Sequence, residues 1–218
     1  MIIVSGGIKG GAGKTLLAIN LVVMCSRDAR DVLLIDADDQ ESATDFTGLR
    51  SERFDGDPGY TSIKLTGKAV RDQVLRLADK YDDIIIDTGG RDTVSQRAAL
   101  TVADMLLVPF APRSLDVWTF GQVERLIEEM APANPELRAY ALINRADHQG
   151  RDNEEAAEFL RSSEVLEFIP AYLGNRKAFA TAVAEGLGVV EYTPRDKKAI
   201  AEMETLYQHI FEVEMTSL

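Results

Sequence analysis

GGIKGGAGKTLLAIN, residues 6–20, follows directly on the apolar run MIIVS at 1–5. Its Gly13-Lys14-Thr15 is the ending of a phosphate-binding loop. The pattern G-x-x-x-x-G-K-[ST] wants glycine at position 8, where this chain carries Ile8, and a second lysine, Lys9, stands ahead of the first. Gly10, Gly11 and Gly13 permit backbone angles and close approach that a β-carbon would hinder. The amides from Gly11 through Ala12 to Leu16 are therefore expected to turn inward on a β-phosphate, at the start of a helix whose dipole favours negative charge. Lys14 is expected to bridge β- and γ-phosphates, and the Thr15 hydroxyl to ligate Mg²⁺.

Two further segments point to the same place. VLLIDADDQ (32–40) ends an apolar run with Asp36 and puts Asp38 in the following loop, and YDDIIIDTGG (81–90) ends another with Asp87. A buried strand that delivers an aspartate to its carboxyl end is the arrangement that holds Mg²⁺ beside a phosphate loop. In open α/β sheets, ligands bind at those carboxyl ends.

Strand-length apolar runs recur at Ile2–Ser5, Val32–Ile35, Ile84–Ile86, Met105–Phe110, Tyr140–Ile143 and Val165–Ile169. They are nearly continuous, as strands covered on both faces should be. Helical spacing fills the intervals: Lys14–Ser26, Lys68–Lys80, Val94–Val102, Leu115–Met130, Asn153–Arg161, Arg176–Glu185 and Lys197–Val213. Ser114 is placed to cap the fourth of these helices. The expected fold is α/β: a P-loop NTPase with a mainly parallel twisted sheet and helices on both faces. Leu49–Leu65 is the least readable stretch, and FDGDPGY within it looks like a surface loop.

At 218 residues the chain suits one domain, 1–218, able to bury roughly 70% of its unfolded surface without a metal or disulfide staple. The single Cys25 excludes a disulfide framework and, in an apolar run, is expected to be buried and inert. The N-terminus has no charged leader, and no apolar run approaches the about 18 residues of a membrane span, so the expected location is cytoplasmic. A net charge of −12 argues against a protein coated in basic surface, though not against a local basic patch. His148 and His209 have no metal-ligand spacing. Trp118 and Phe120 are expected in packing or dimer contacts, and Glu154, Glu155 and Glu158 on a solvated helix face.

KGGAGKT, with Lys9 ahead of two glycines, resembles the deviant Walker-A motif of the ParA/MinD ATPases, and VLLIDADDQ is similar to that family's D-x-D-P-Q. The likeness continues through MLLVPFAPRSLD, YALINR and FIPAYLGNRKAFATAVAEGLGVVEY, most like the small plasmid-partition members. The resemblance implies an ATP- and Mg²⁺-dependent ATPase that forms a nucleotide-sandwich homodimer, in which Lys9 reaches the partner subunit's phosphates. It implies that Asp38 polarises the attacking water, that Asp36 acts near Mg²⁺, and that Gly89 senses the γ-phosphate. Asn144 matches the adenine-contacting asparagine, with Arg145 and Pro170 near the base. Three departures stand out: Asp39 for the motif's proline, Leu16 for a frequent threonine, and glycines after Asp87 where partition ATPases often carry prolines.

The leading functional expectation is DNA segregation with an adaptor protein. Non-specific DNA contact would come from Arg145, Arg151, Arg176, Lys177, Arg195, Lys197 and Lys198. The alternatives are a related ATPase that positions a protein cargo of the chemoreceptor-cluster or carboxysome type, or one that assists transferred-DNA processing. A MinD-like membrane switch fits less well, because the ending AEMETLYQHIFEVEMTSL is acidic rather than basic. A metabolic P-loop kinase or ligase would give Lys9 no purpose.

Overall fold

The computed structural model describes residues 1–115, 117–148 and 151–215. In chain order the elements are β1 (Ile2–Ser5), α1 (Lys14–Arg27), β2 (Val32–Ala37), α2 (Ser42–Arg53), β3 (Thr61–Lys64), α3 (Ala69–Leu77), β4 (Asp83–Thr88) and α4 (Val94–Leu100). There follow β5 (Met105–Phe110), α5 (Val117–Met130), β6 (Arg138–Ala146), α6 (Asp152–Arg161), β7 (Glu167–Gly174), α7 (Lys177–Ala184) and α8 (Lys197–Met215). The seven strands pair in the order β3-β2-β4-β1-β5-β6-β7, every pair parallel. The chain runs outward from β1 to β3, returns to β4, then continues beyond β1 on the other side. β1 is thus the point where the direction of winding reverses, and the crevice at its carboxyl end is where such a sheet binds ligands.

Side chains alternate across the sheet. Ile3, Leu34, Ile85, Leu107 and Leu142 pack with α1, α2, α7 and α8, while Val4, Leu33, Ile86, Leu106 and Ala141 pack with α3 to α6. Both faces are therefore dry, which explains the continuous apolar runs in the inner strands. Cys25 is buried in the first of these layers, and burial pushes its thiol up to about 12. No helix among the described residues is long and apolar enough to cross a membrane.

Two elements lie where no helix or strand is legible. In α2 only Ala43, Phe46 and Arg50 are buried, so a charged residue occupies one of three core-facing positions and interrupts the apolar period. Arg50 is satisfied by the Pro58 and Gly186 carbonyls and by both carboxylate oxygens of Glu191. β3 is an edge strand with a single large apolar residue, Ile63. The other edge strand, β7, is expected at Val165–Ile169 and found at Glu167–Gly174, because its burial alternates instead of running on. Pro170 is exposed within it, as an edge strand tolerates. Helix α5 begins at Val117, so Ser114 is not its cap; Ser114 closes the 3-10 turn Pro112–Ser114.

Candidate active site

The phosphate loop leaves the end of β1 with its turns at Gly11 (φ 75°) and Gly13 (φ 96°), backbone that a side chain would strain. Gly13 precedes α1 directly. Neither a capping side chain nor an acidic residue occupies the helix's first turn, so its amides face outward for an anion. The Ser5 hydroxyl donates to the Lys14 carbonyl at 2.9 Å and ties that first turn back to the sheet. Gly10, Gly11, Gly13, Lys14, Thr15 and Leu16 border a cavity of about 860 Å³ together with Asp38, Gly89 and Arg145. This lies within the usual range for a small-molecule site, roughly 300–1,000 Å³. Lys9 and Ala12 line a smaller adjoining hollow that shares Lys14.

The Lys14 ammonium is nearly buried and donates to the Lys9 carbonyl at 2.8 Å. Burial lowers its pKa, against the pull of Asp87 and Asp38. Asp36 and Asp87 are register partners on β2 and β4 and are both fully buried, yet they differ in how they are satisfied. Asp36 accepts from the Asp38 amide (3.1 Å), the Thr44 amide (2.8 Å) and the Thr44 hydroxyl (2.7 Å). It therefore organises the loop that carries Asp38 and caps the start of α2 from outside. Among the described residues, neither oxygen of Asp87 has a hydrogen-bond partner. Burial pushes its carboxyl up to about 7, against the pull of the Thr15 hydroxyl and with the Asp36 and Asp38 charges adding to the rise.

An orphaned, buried carboxylate beside a hydroxyl at a phosphate loop fits a divalent cation, which would supply the missing partner and reverse the pKa shift. Mg²⁺ typically takes one or two protein ligands and completes its shell from phosphate and water. Thr15 and Asp87 suit that role; Asp36, the register partner of Asp87, accepts three hydrogen bonds and keeps acceptor capacity on Oδ1.

Asn144 sits behind the loop. Its amide nitrogen donates to the Ala12 carbonyl at 2.7 Å, its oxygen accepts from the Arg145 amide at 2.9 Å, and a Cβ on Gly13 would stand 2.0 Å from that nitrogen. The β6–β7 register shifts here, and Arg145 adopts φ 55°, an irregularity that aims Arg145 at the cavity mouth. Pro170, mid-strand in β7, is not among the cavity's lining residues.

The glycines after Asp87 mark close approach. A Cβ at Gly89 would lie 3.0 Å from an Asp38 carboxylate oxygen, and one at Gly90 would lie 2.7 Å from the Gly10 Cα and 2.8 Å from its nitrogen. Arg91, which follows the two glycines and which no pattern in the sequence singles out, is exposed on the cavity rim. Gln96, which no pattern singles out either, is fully buried in α4.

Among the basic candidates, Arg176 and Lys198 line one surface hollow and Arg195 another. Arg151, Lys177, Arg195, Lys197 and Lys198 are exposed. Arg176 is held by Glu202 in a bidentate pair, with the Gly174 amide on the same carboxylate.

Residues 2–206 match the family model described as the CobQ/CobB/MinD/ParA nucleotide binding domain. The chain is 29% identical over 206 residues to the maintenance of carboxysome distribution protein A of Gloeobacter kilaueensis, covering 94% of this chain and 89% of that protein. It is 26% identical over 220 residues to the chromosome-partitioning ATPase Soj of Thermus thermophilus, covering 89% and 84%. Among solved structures, the ATP complex of a McdA variant from Cyanothece superposes with a TM-score of 0.81 over 97% of this chain and 95% of that one. At 17% identity this is a likeness of fold.

Proposed function

Since the chain belongs to the CobQ/CobB/MinD/ParA nucleotide-binding family, we propose that it is an ATPase that pairs with a second copy of itself around ATP and uses that cycle to position a protein cargo through an adaptor. The observation that carries the ATP chemistry is the phosphate loop with Lys14 in its floor and the unpartnered Asp87 carboxylate beneath it. With nucleotide in the loop, the first-turn amides of α1 and the Lys14 ammonium hold the β- and γ-phosphates. Lys9 extends to the phosphates of the partner subunit, which makes pairing depend on the third phosphate. Asp38, half-buried against Gly89, orients the attacking water. The water oxygen bonds to the γ-phosphorus as the bond to the β–γ bridging oxygen breaks, leaving ADP and phosphate. A divalent cation held by Thr15 and Asp87 would neutralise charge on the phosphate oxygens.

The choice of cargo shifts from the leading expectation. Similarity to a carboxysome distribution protein at 29% identity supports protein-cargo positioning over DNA segregation. The likeness to Soj keeps partition as the second reading. In either case non-specific DNA serves as the track, with exposed Lys177, Arg195, Lys197 and Lys198 as candidate contacts. Arg176, engaged with Glu202, contributes least. Hydrolysis is tested by phosphate release from ATP with Mg²⁺, expected for the wild type and lost in Asp87→Asn. Cargo is tested in the host cell: loss of the protein should scatter a regularly spaced protein assembly and leave plasmid retention intact. Plasmid loss with normally spaced assemblies would favour partition.

A further inference from the structure

Gln96 gathers both ends of the loop between β4 and α4. Its backbone amide donates to the Thr93 hydroxyl at 3.1 Å, which caps α4. Its side-chain oxygen lies 2.9 Å from the Thr88 hydroxyl and accepts from the Gly7 amide at 3.1 Å. Because the Gly7 N–H can only donate, the carboxamide oxygen must face it, which fixes the orientation of the group. Its Nε2 is then buried without a partner among the described residues. An apolar residue of similar size would avoid that penalty but would orphan the Gly7 amide in its place. The structure keeps the acceptor and tolerates the unpaired donor.

The loop that Gln96 brackets also touches the phosphate loop at its crest. The missing Cβ of Gly90 is what lets it sit on Gly10, and that Cβ would be 3.2 Å from the carbonyl carbon of Lys9. Loop 88–93 and the phosphate loop therefore meet twice, at Gly7 through a side chain and at Lys9–Gly10 through backbone. Gly6 adds no slack between them, since a Cβ there would lie 3.3 Å from both the Gln96 oxygen and the Thr88 hydroxyl.

We infer that Gln96 is a positioning residue that locks loop 88–93 to the root of the phosphate loop, so that a displacement of Gly89 and Gly90 at the γ-phosphate is transmitted to the segment carrying Lys9. Its contribution is discrimination between ATP and ADP rather than phosphate binding as such, and it rests on the ATP-dependent reading above.

The test is calorimetric titration of the full chain, with Mg²⁺, against ADP and against a non-hydrolysable ATP analogue, with the melting temperature recorded alongside. In Gln96→Met, which keeps the volume and removes the acceptor, affinity for the ATP analogue should fall by about tenfold, the scale of a lost buried hydrogen bond. Affinity for ADP should stay within about twofold, inside the context-dependence of such bonds. Thr88→Val removes the hydroxyl that lies against the Gln96 oxygen, together with its 3.1 Å contact to the Ser5 carbonyl, and should reproduce the selective loss, whereas Thr88→Ser, which retains both, should not. This pair decides the matter if Gln96→Met does not fold. The double variant Gln96→Met with Thr88→Val should lose no more than Thr88→Val alone. Equal weakening of both nucleotides with a lowered melting temperature would assign Gln96 a merely structural role and overturn the inference, as would unchanged affinity for the analogue. If the wild type itself fails to distinguish the two nucleotides, the ATP-dependent reading falls and this inference with it. Failure of the variants alone overturns only the inference.

Discussion

The Lys14 ammonium donates to the backbone carbonyl of Lys9, so the two lysines of the opening motif are joined inside one subunit: the side chain of one rests on the peptide of the other. A phosphate that draws Lys14 toward it must also change the support of the Lys9 peptide. Lys14→Ala should therefore weaken both ADP and the ATP analogue by roughly 10- to 100-fold, the scale of hydrogen bonds to a charged group. Lys9→Ala should leave ADP binding by the isolated subunit nearly unchanged. Titration of each variant with each nucleotide checks this.

Gly13 and Asn144 predict a second outcome. A methyl at Gly13 would collide with the Asn144 amide and would impose a side chain at φ 96°. Gly13→Ala should abolish measurable nucleotide binding and lower the melting temperature. Asn144→Ala frees the Ala12 carbonyl and should weaken nucleotide binding more than it lowers melting.

Asp87 predicts a pH dependence. Its carboxyl stands at about 7 in the fold against an ordinary 3.8, so between those values the folded chain binds the proton more tightly than the unfolded chain does. The sign follows: this group lowers stability progressively as pH rises from about 4 to about 7, with no further change above. Asp87→Asn should flatten that slope and raise the melting temperature at pH 8, while Mg²⁺–nucleotide should stabilise the wild type far more than the variant. Melting curves across pH 5–8, with and without ligand, give the answer.

The α2 anchor predicts a stability effect far from the chemistry. Arg50 and Glu191 form a bidentate pair with both side chains largely buried, and the Gly186 turn packs on the Arg50 backbone. Glu191→Ala leaves that guanidinium without its carboxylate and should cost about 3–5 kcal/mol. For a domain of this size the melting temperature should drop by roughly 6–20 °C. Glu185→Ala, at an exposed pair with Arg53, should change little.

How much of this was legible follows from the physics of each element. The inner strands announce themselves because both faces are dry, and the phosphate loop because three glycines and a lysine have few other uses together. α2 hides because Arg50 takes a core position, and the edge strands β3 and β7 hide because half of each faces out. Asp36 and Asp87 look alike in sequence, each closing an apolar run. Only their partners separate the loop organiser from the candidate cation ligand. Glycines 89 and 90 stand where partition ATPases often carry prolines, and the structure gives a reason for them, the close approach to Asp38 and Gly10. Gln96 is unreadable in advance because its importance lies in contacts to Gly7 and Thr88, residues distant or unremarkable in the chain.

In the proposed cycle, ATP joins two copies of this chain through Lys9. Sedimentation velocity of wild type and Lys9→Ala, each with ADP and with a non-hydrolysable ATP analogue, tests it most directly. A dimer is expected only for the wild type with the ATP analogue, and monomers in the other three samples. A Lys9→Ala chain that still dimerises with the analogue and hydrolyses ATP at the wild-type rate would contradict it.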